Sequence, residues 1–180
     1  MEQAFAKNSV IAAVRTKNEW HAALNGRAEV IFLLSGTISE LPLLLREAHG
    51  KGKKLFWHLD MIDGLASDAA GVEYVAGLAP DGIISTRGNL IKLAKGYGLC
   101  TVQRFFIVDG RSVQTALDTL HQTKPAFAEL MPGLVCKAIR AFSATGLPII
   151  AGGLITTPEE VKDAFAAGAY AVSTSAQLLW

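Results

Sequence analysis

The 180-residue chain has almost no excess of charge of either sign: 17 Lys and Arg stand against 16 Asp and Glu, a formal net charge of +1. A dedicated nucleic-acid binder usually carries a stronger basic excess, so composition alone argues against a monomer that holds RNA or DNA by bulk charge. Cysteine is scarce too. Cys100 and Cys136 are isolated, with no CxxC and no adjacent histidine. This excludes a disulfide framework and fits two thiols kept in a reducing compartment. No apolar run approaches the ~18 residues needed to cross a bilayer. The N-terminus lacks the basic-then-apolar pattern of a secretory signal. The expected location is therefore cytoplasmic. Linkers, charge blocks and low-complexity stretches are also missing, so the expectation is one domain over residues 1–180.

What is present is a repeated phrase. The hydrophobic fraction is 51% and mean hydropathy is +0.32. Eight short apolar runs, at 10–14, 30–34, 54–59, 82–85, 100–105, 126–130, 148–151 and 170–174, each precede a polar or glycine-rich break and a helix-like stretch. Their ends recur at roughly 20–25 residues, the size of a strand–loop–helix unit. Continuous apolar runs fit strands buried on both faces. Eight units predict an α/β fold, a compact (β/α)8 TIM-type barrel. The chain is short for a fold that typically takes about 250 residues. The helices must be short, and with only 176–180 after the eighth run the last helix is expected to be truncated. Local signals agree. Thr157-Pro158-Glu159-Glu160 reads as a capping box with proline at the first helical position. Ser39 and either Ser67 or Asp68 are expected to cap two further helices. Gly98 is expected to end a helix over 89–97.

In such a barrel the ligand site lies where the strands end. That singles out Arg15, Gly36, Asp60, Ser85, Arg104, Glu129, Gly152, Gly153, Ser173 and Thr174, nearly all polar or glycine. The sharpest pattern pairs Gly152-Gly153 at the seventh strand end with Ser173-Thr174-Ser175 at the eighth. Adjacent glycines let backbone N–H groups approach an anion without a Cβ in the way, and small hydroxyls add neutral donors. The plainer reading is a tight turn beside space-filling residues. Arg15 and Arg104 need anionic partners if buried. Either they bridge Asp60 and Glu129, or they face a ligand with the carboxylates receiving its hydroxyls. The latter describes a polyol phosphate site. His58, two residues before Asp60, is expected on the same side of the strand. It reads as an acid–base partner or, more simply, as a hydrogen-bonded core histidine. Asp60 with Glu129 is too weak a signal to predict a metal. Lys51, Lys53 and Lys54 precede the third strand and are expected on the face opposite the site. Arg87, Lys92 and Lys95 follow the fourth strand and are expected nearer it. Each cluster reads first as solvated surface and second as a nucleic-acid contact.

The stretches 11–15, 58–65, 81–86 with 89–92, 103–106, Pro132-Gly133, 150–155 and 171–175 together resemble the glycerol-3-phosphate-responsive antiterminator family over nearly the whole chain. Cys136, where a proline is usual, and Ala66, where a glycine is usual, depart from the family pattern. The resemblance implies a regulator, not an enzyme, that senses glycerol 3-phosphate and binds the leader mRNA of a glycerol-utilisation operon to prevent premature transcription termination. By matching position it implies phosphate contacts from Gly152, Gly153, Ser173 and Thr174. Arg15, Asp60, Arg104 and Glu129 would form the polar pocket, with no cofactor beyond the effector. Arg87, Lys92 and Lys95 are the candidate RNA contacts, and a homodimer would concentrate modest basic patches against the RNA. The rival is a small phosphate-binding barrel enzyme acting on a glycerol or sugar phosphate, with His58, Asp60 and Glu129 as acid–base or metal residues. A third reading is a phosphometabolite sensor that acts through a protein partner.

Overall fold

The computed structural model describes residues 4–180. Strand and helix alternate throughout: β1 Ser9–Val14, α1 Lys17–Asn25, β2 Val30–Leu33, α2 Leu41–Gly50, β3 Lys54–His58, α3 Ala69–Leu78, β4 Gly82–Ser85 and α4 Gly88–Gly96. The second half continues with β5 Thr101–Phe106, α5 Gly110–Thr123, β6 Phe127–Met131, α6 Cys136–Ser143, β7 Ile149–Gly152, α7 Pro158–Ala166 and β8 Ala171–Thr174. Every strand lies within one residue of its expected bounds at each end. The strands pair in parallel in sequence order, and β8 pairs with β1 to close the barrel. After β8 a short 3-10 turn, Gln177–Leu179, stands in place of an eighth helix.

The alternation of a strand sorts its side chains between the barrel axis and the helix layer. Ile11, Phe32, Phe56, Ile84, Val102 and Ile150 point inward and pack as one cluster. Their neighbours Ile31, Trp57, Ile83, Leu130 and Val172 point outward and pack under the helices in two further clusters. Both faces are therefore apolar, which is why the runs carry no polar alternation.

At the strand N-termini, here the bottom, aromatic rings fill the interior. Phe5 stacks on Phe127 with centroids 4.5 Å apart and meets Phe56 edge-on at 5.9 Å. The Tyr170 hydroxyl donates to the Phe5 carbonyl at 2.9 Å. At the strand C-termini, the top, the inward side chains become polar.

The helix starts follow their caps. Thr157 and Glu160 form the expected capping box, and Asp68 accepts from the Gly71 N–H. Thr16–Glu19 and Asp109–Ser112 form two more boxes. Ser39 does not cap α2. Glu40 holds that position, and its carboxylate accepts from the Thr37 N–H and hydroxyl at 3.0 and 2.9 Å. The three-residue reach of glutamate lets it fold back onto the loop where serine cannot. Gly98 follows the Tyr97 cap with φ +77°, the left-handed conformation that suits glycine after a helix.

Candidate functional site

The strand register assembles the top layer. Arg104 on β5 lies directly beside Glu129 on β6, and Gly152 on β7 lies beside Ser173 on β8. All four continue the inward-facing rows. The Arg104 Nε donates to Glu129 Oε2 at 2.6 Å, and the Ser173 hydroxyl donates to Glu129 Oε1 at 2.5 Å. Arg104, Glu129 and Ser173 are 5%, 0% and 3% exposed. Glu129 and Ser173 sit two strands apart, and Gly152 separates them. A Cβ on Gly152 would fall 2.5 Å from Glu129 Oε1 and 2.7 Å from Ser173 Oγ. Glycine at 152 is what allows the two side chains to meet.

Above this layer opens a cavity of about 500 Å³. Arg104, Glu129 and Ser173 reach it from below, Ala13, Leu34, Met131 and Ile155 form apolar walls, and Arg15 stands exposed at the rim. Arginine has five N–H donors, and only the Nε of Arg104 is engaged among the described residues, so its remaining donors are available to a ligand. Gly153, Leu154 and Ser175 line the mouth, and none of the hydrogen bonds among the described residues uses their backbone N–H groups. Gly153 has φ +73°, a conformation that favours glycine, and a Cβ there would meet only the mobile end of Met131, 2.7 Å from its Cε. Leu154 also has positive φ, +62°, which costs a non-glycine residue. It holds an exposed leucine at the mouth beside Phe106 and Val108.

Several expected residues act differently. Neither hydroxyl of Ser173-Thr174 offers a free proton to an anion: Ser173 spends it on Glu129, and Thr174 Oγ1 donates to the Ile155 carbonyl at 2.6 Å while accepting from the Ala176 N–H at 3.0 Å. Thr174 still lines the cavity, but with its hydroxyl held by these two backbone partners. The donors left at these two loops are main-chain amides. Asp60 does not line the cavity. It sits on the 3-10 turn Leu59–Met61, where the chain has left the strand period that put it beside His58. Its carboxylate clips the loop after β4, accepting from the Ser85 hydroxyl at 2.9 Å, the Thr86 N–H at 2.7 Å and the Thr86 hydroxyl at 2.9 Å. Arg87 lies 3.8 Å from it, half exposed. Arg15 pairs with neither carboxylate and keeps its place at the rim.

Arg87, Lys92 and Lys95 do not form one top patch. α4 runs downward, so Lys95 lies ~12 Å along the axis below Arg87 at 1.5 Å per residue. Its Nζ donates to the carbonyls of Thr123 and Lys124 at the bottom of α5. Lys92 is exposed midway. Among the described residues no group of three His, Cys, Asp or Glu could hold a metal ion.

His58 is 2% exposed, its Nδ1 has no hydrogen-bond partner, and Asp60 Oδ2 is 3.9 Å away. Burial, aided by the Arg104 charge and opposed by Asp60 and Glu129, pushes its pKa down from 6.5 to about 4. The ring is neutral near pH 7. Burial also raises the Cys100 thiol to about 11, so it stays protonated.

Sequence reasoning missed the apolar rim of Phe106, Val108 and Leu154, and read the loop with Ser175 as hydroxyl donors where its backbone N–H is the free one. The signal was present in part: an apolar residue directly after Gly152-Gly153 has no core to enter. Among the described residues no helix is long and apolar enough to cross a membrane.

The chain is 30% identical over 97% of its length, and 92% of the relative's, to the uncharacterized protein YgcP of Escherichia coli K12. The glycerol uptake operon antiterminator regulatory protein of Listeria monocytogenes has a crystal structure with TM-score 0.94 and 32% identity, matching 100% of this chain and 98% of that one. A glycerol uptake operon antiterminator-related protein of Thermotoga maritima gives TM-score 0.87 at 28% identity, over 97% and 98% of the two chains. A deoxyribose phosphate aldolase of Aeropyrum pernix reaches TM-score 0.70 over 96% and 88% of the two chains, but at 13% identity, a likeness of fold alone. The profile described as glycerol-3-phosphate responsive antiterminator matches residues 10–180. The chain belongs to the glycerol-3-phosphate responsive antiterminator family.

Proposed function

We propose that this protein is a glycerol 3-phosphate-gated transcription antiterminator: effector binding in the top cavity favours a state that holds the leader RNA of a glycerol-uptake operon. The observation that carries the effector half is the buried Arg104–Glu129–Ser173 chain under a cavity whose mouth presents free main-chain amides. An anion is matched by the Arg104 donors, the amides of Gly153, Leu154 and Ser175, and the Arg15 charge. A polyol hydroxyl is matched by the remaining acceptor capacity of Glu129, whose two oxygens each already accept one bond. Phosphate and hydroxyls on one small molecule satisfy both. The reading includes no cofactor, no metal ion and no catalysis. Against an acid–base role, His58 Nδ1 has no hydrogen-bond partner and stands 3.9 Å from Asp60 Oδ2.

Calorimetry with glycerol 3-phosphate tests the site. Gly153→Asp places a carboxylate at the mouth on a backbone that disfavours it, and effector binding should vanish from a variant that still folds. Unchanged affinity would remove the site. Titration of a labelled leader transcript with and without glycerol 3-phosphate tests the output, and tighter binding with effector at constant ionic strength is expected. Turnover of a glycerol phosphate by a protein that binds no leader would replace this reading with the enzyme.

A further inference from the structure

The two faces of the barrel differ in charge, although the chain is nearly neutral. The segments that lead from a helix into the next strand lie at the bottom. They carry Arg27, Lys51, Lys53 and Lys124, Lys54 opens β3, and Lys7 precedes β1 at the same end. The acids among these described segments are Glu29 and Asp81, and Asp81 is already held by His49 at 2.9 Å and the Leu55 N–H at 2.8 Å.

The bottom amines are positioned by neutral partners. Lys53 Nζ donates to the carbonyls of Gly26 and Ala28 at 2.7 and 2.8 Å, and Lys54 Nζ to the Ala4 carbonyl at 2.5 Å. Lys95 Nζ donates to the carbonyls of Thr123 and Lys124 at 3.1 and 2.5 Å. Carbonyls fix an ammonium in place and leave its charge uncancelled. At the top the acids Glu19, Glu40, Asp60, Asp63, Asp68, Asp109, Glu159 and Glu160, most of them capping or starting helices, outnumber Arg15, Lys17, Arg87, Arg111 and Lys137.

The bottom also holds a groove of about 790 Å³, lined by Lys95, Lys124, Pro125, Phe127 and Pro148. Tyr97, 48% exposed, stands in the segment after α4 that borders it. Ammonium groups flanking a groove, with an exposed aromatic ring at its edge, are what a single-stranded nucleic acid needs: charge for phosphates and a flat surface for a base.

We propose that leader RNA binds the bottom face, its phosphates across Lys51, Lys54, Lys95 and Lys124 and an unstacked base on Tyr97. This rests on the antiterminator reading above and names the surface that reading requires. Electrostatics favours the placement over the top. RNA at the cavity mouth would meet the helix-capping acids and an anionic effector. The bottom lies a strand's length away, ~20 Å for six residues, well beyond the ~8 Å screening length of physiological salt. The effector then neither repels nor attracts the RNA directly. It acts through its difference in affinity between two states of the barrel.

The test measures leader binding over a salt series for wild type, for Lys51→Gln/Lys54→Gln/Lys124→Gln, and for Arg87→Gln/Lys92→Gln on the α4 flank. Each lost phosphate contact on a single strand removes about 0.7 from the log–log salt slope. The bottom variant should therefore lose about 2 in slope and about a hundredfold in affinity at ~0.1 M salt. The flank variant should stay near wild type, and calorimetric affinity for glycerol 3-phosphate should be unchanged in both. If the triple variant does not fold, Lys124→Gln and Tyr97→Ala carry the test, and each must weaken RNA binding. Wild-type slope and affinity in a folded bottom variant would overturn the surface and leave the antiterminator reading standing. No leader binding by the wild-type protein, with or without effector, would remove both.

Discussion

At the bottom of the barrel interior Phe5 lies flat against Phe127 and edge-on to Phe56. At the top the same inward rows end in Arg104, Glu129 and Ser173, joined by hydrogen bonds of 2.5 and 2.6 Å. Both ends exclude water and both are packed, but their stability has different sources. The aromatic plug gains by leaving water, and its rings contribute roughly in proportion to the area they bury. The polar layer loses hydration on burial and recovers it only while every member keeps its partner. A barrel can close one end with apolar surface at little risk. The other end is costly to hold together, and that cost leaves donors and acceptors fixed in place for a ligand.

Breaking the polar layer should give the largest effect. Glu129→Leu leaves Arg104 buried without its counter-ion, and loss of one partner from a buried pair typically costs about 3–5 kcal/mol. Urea unfolding should show this loss together with loss of effector binding. Arg104→Met/Glu129→Leu should recover most of the stability and none of the binding, because an apolar pair of similar volume removes the orphaned charge. Equal destabilisation of the single and double variants would mean the layer is not held by this pair. At the opposite end, Phe127→Ala should cost about 3–5 kcal/mol through the cavity it leaves. Effector affinity should be intact in the fraction that folds. A fall in affinity would show that the two ends are not separable.

The strands were legible because both their faces are apolar, so each run stands out against its polar break; 82–85 matches β4 at both ends. The Thr157 box was legible because cap, proline and glutamate coincide. Thr16–Glu19 carries the same spacing without the proline, and so the weaker signal. The site was legible as a set of strand ends but not as a set of partners. Arg104 and Glu129 are 25 residues apart and meet through strand register, which a single sequence does not display. Gly152 was read as a cradle for an anion. Its first task is to keep a Cβ out of the space where Glu129 and Ser173 meet. The near-neutral net charge hid an uneven arrangement, an excess of lysines at the bottom and of acids at the top, which shows only once the chain is folded.

pH probes the polar end through His58. The pKa of His58 falls from 6.5 to about 4 on folding. Between those values the unfolded chain binds more protons than the folded one, so stability rises with pH across that window. Acidification from pH 7 should leave stability flat to about pH 6.5, then remove up to about 3 kcal/mol by pH 4 from this group. His58→Gln should flatten this part of the curve, read as urea midpoints across the range. An unchanged slope would mean that His58 reaches solvent when charged.

The smallest effect concerns Asp60, at the edge of the polar end but turned away from the cavity. Its carboxylate accepts from the Ser85 hydroxyl, the Thr86 N–H and the Thr86 hydroxyl at 2.7–2.9 Å. Asparagine keeps one acceptor oxygen for the Thr86 N–H and loses the charge that strengthens the others. The difference between a charged and a neutral hydrogen-bond acceptor is about 1 kcal/mol, and Asp60→Asn should cost about that in urea. The exposed Arg87, 3.8 Å away, adds little to this because exposed ion pairs contribute little. Glycerol 3-phosphate affinity should not move, since the loop after β4 does not reach the cavity walls. The opposite outcome, weakened effector binding with stability preserved, would return Asp60 to the pocket and extend the polar end from three side chains to four.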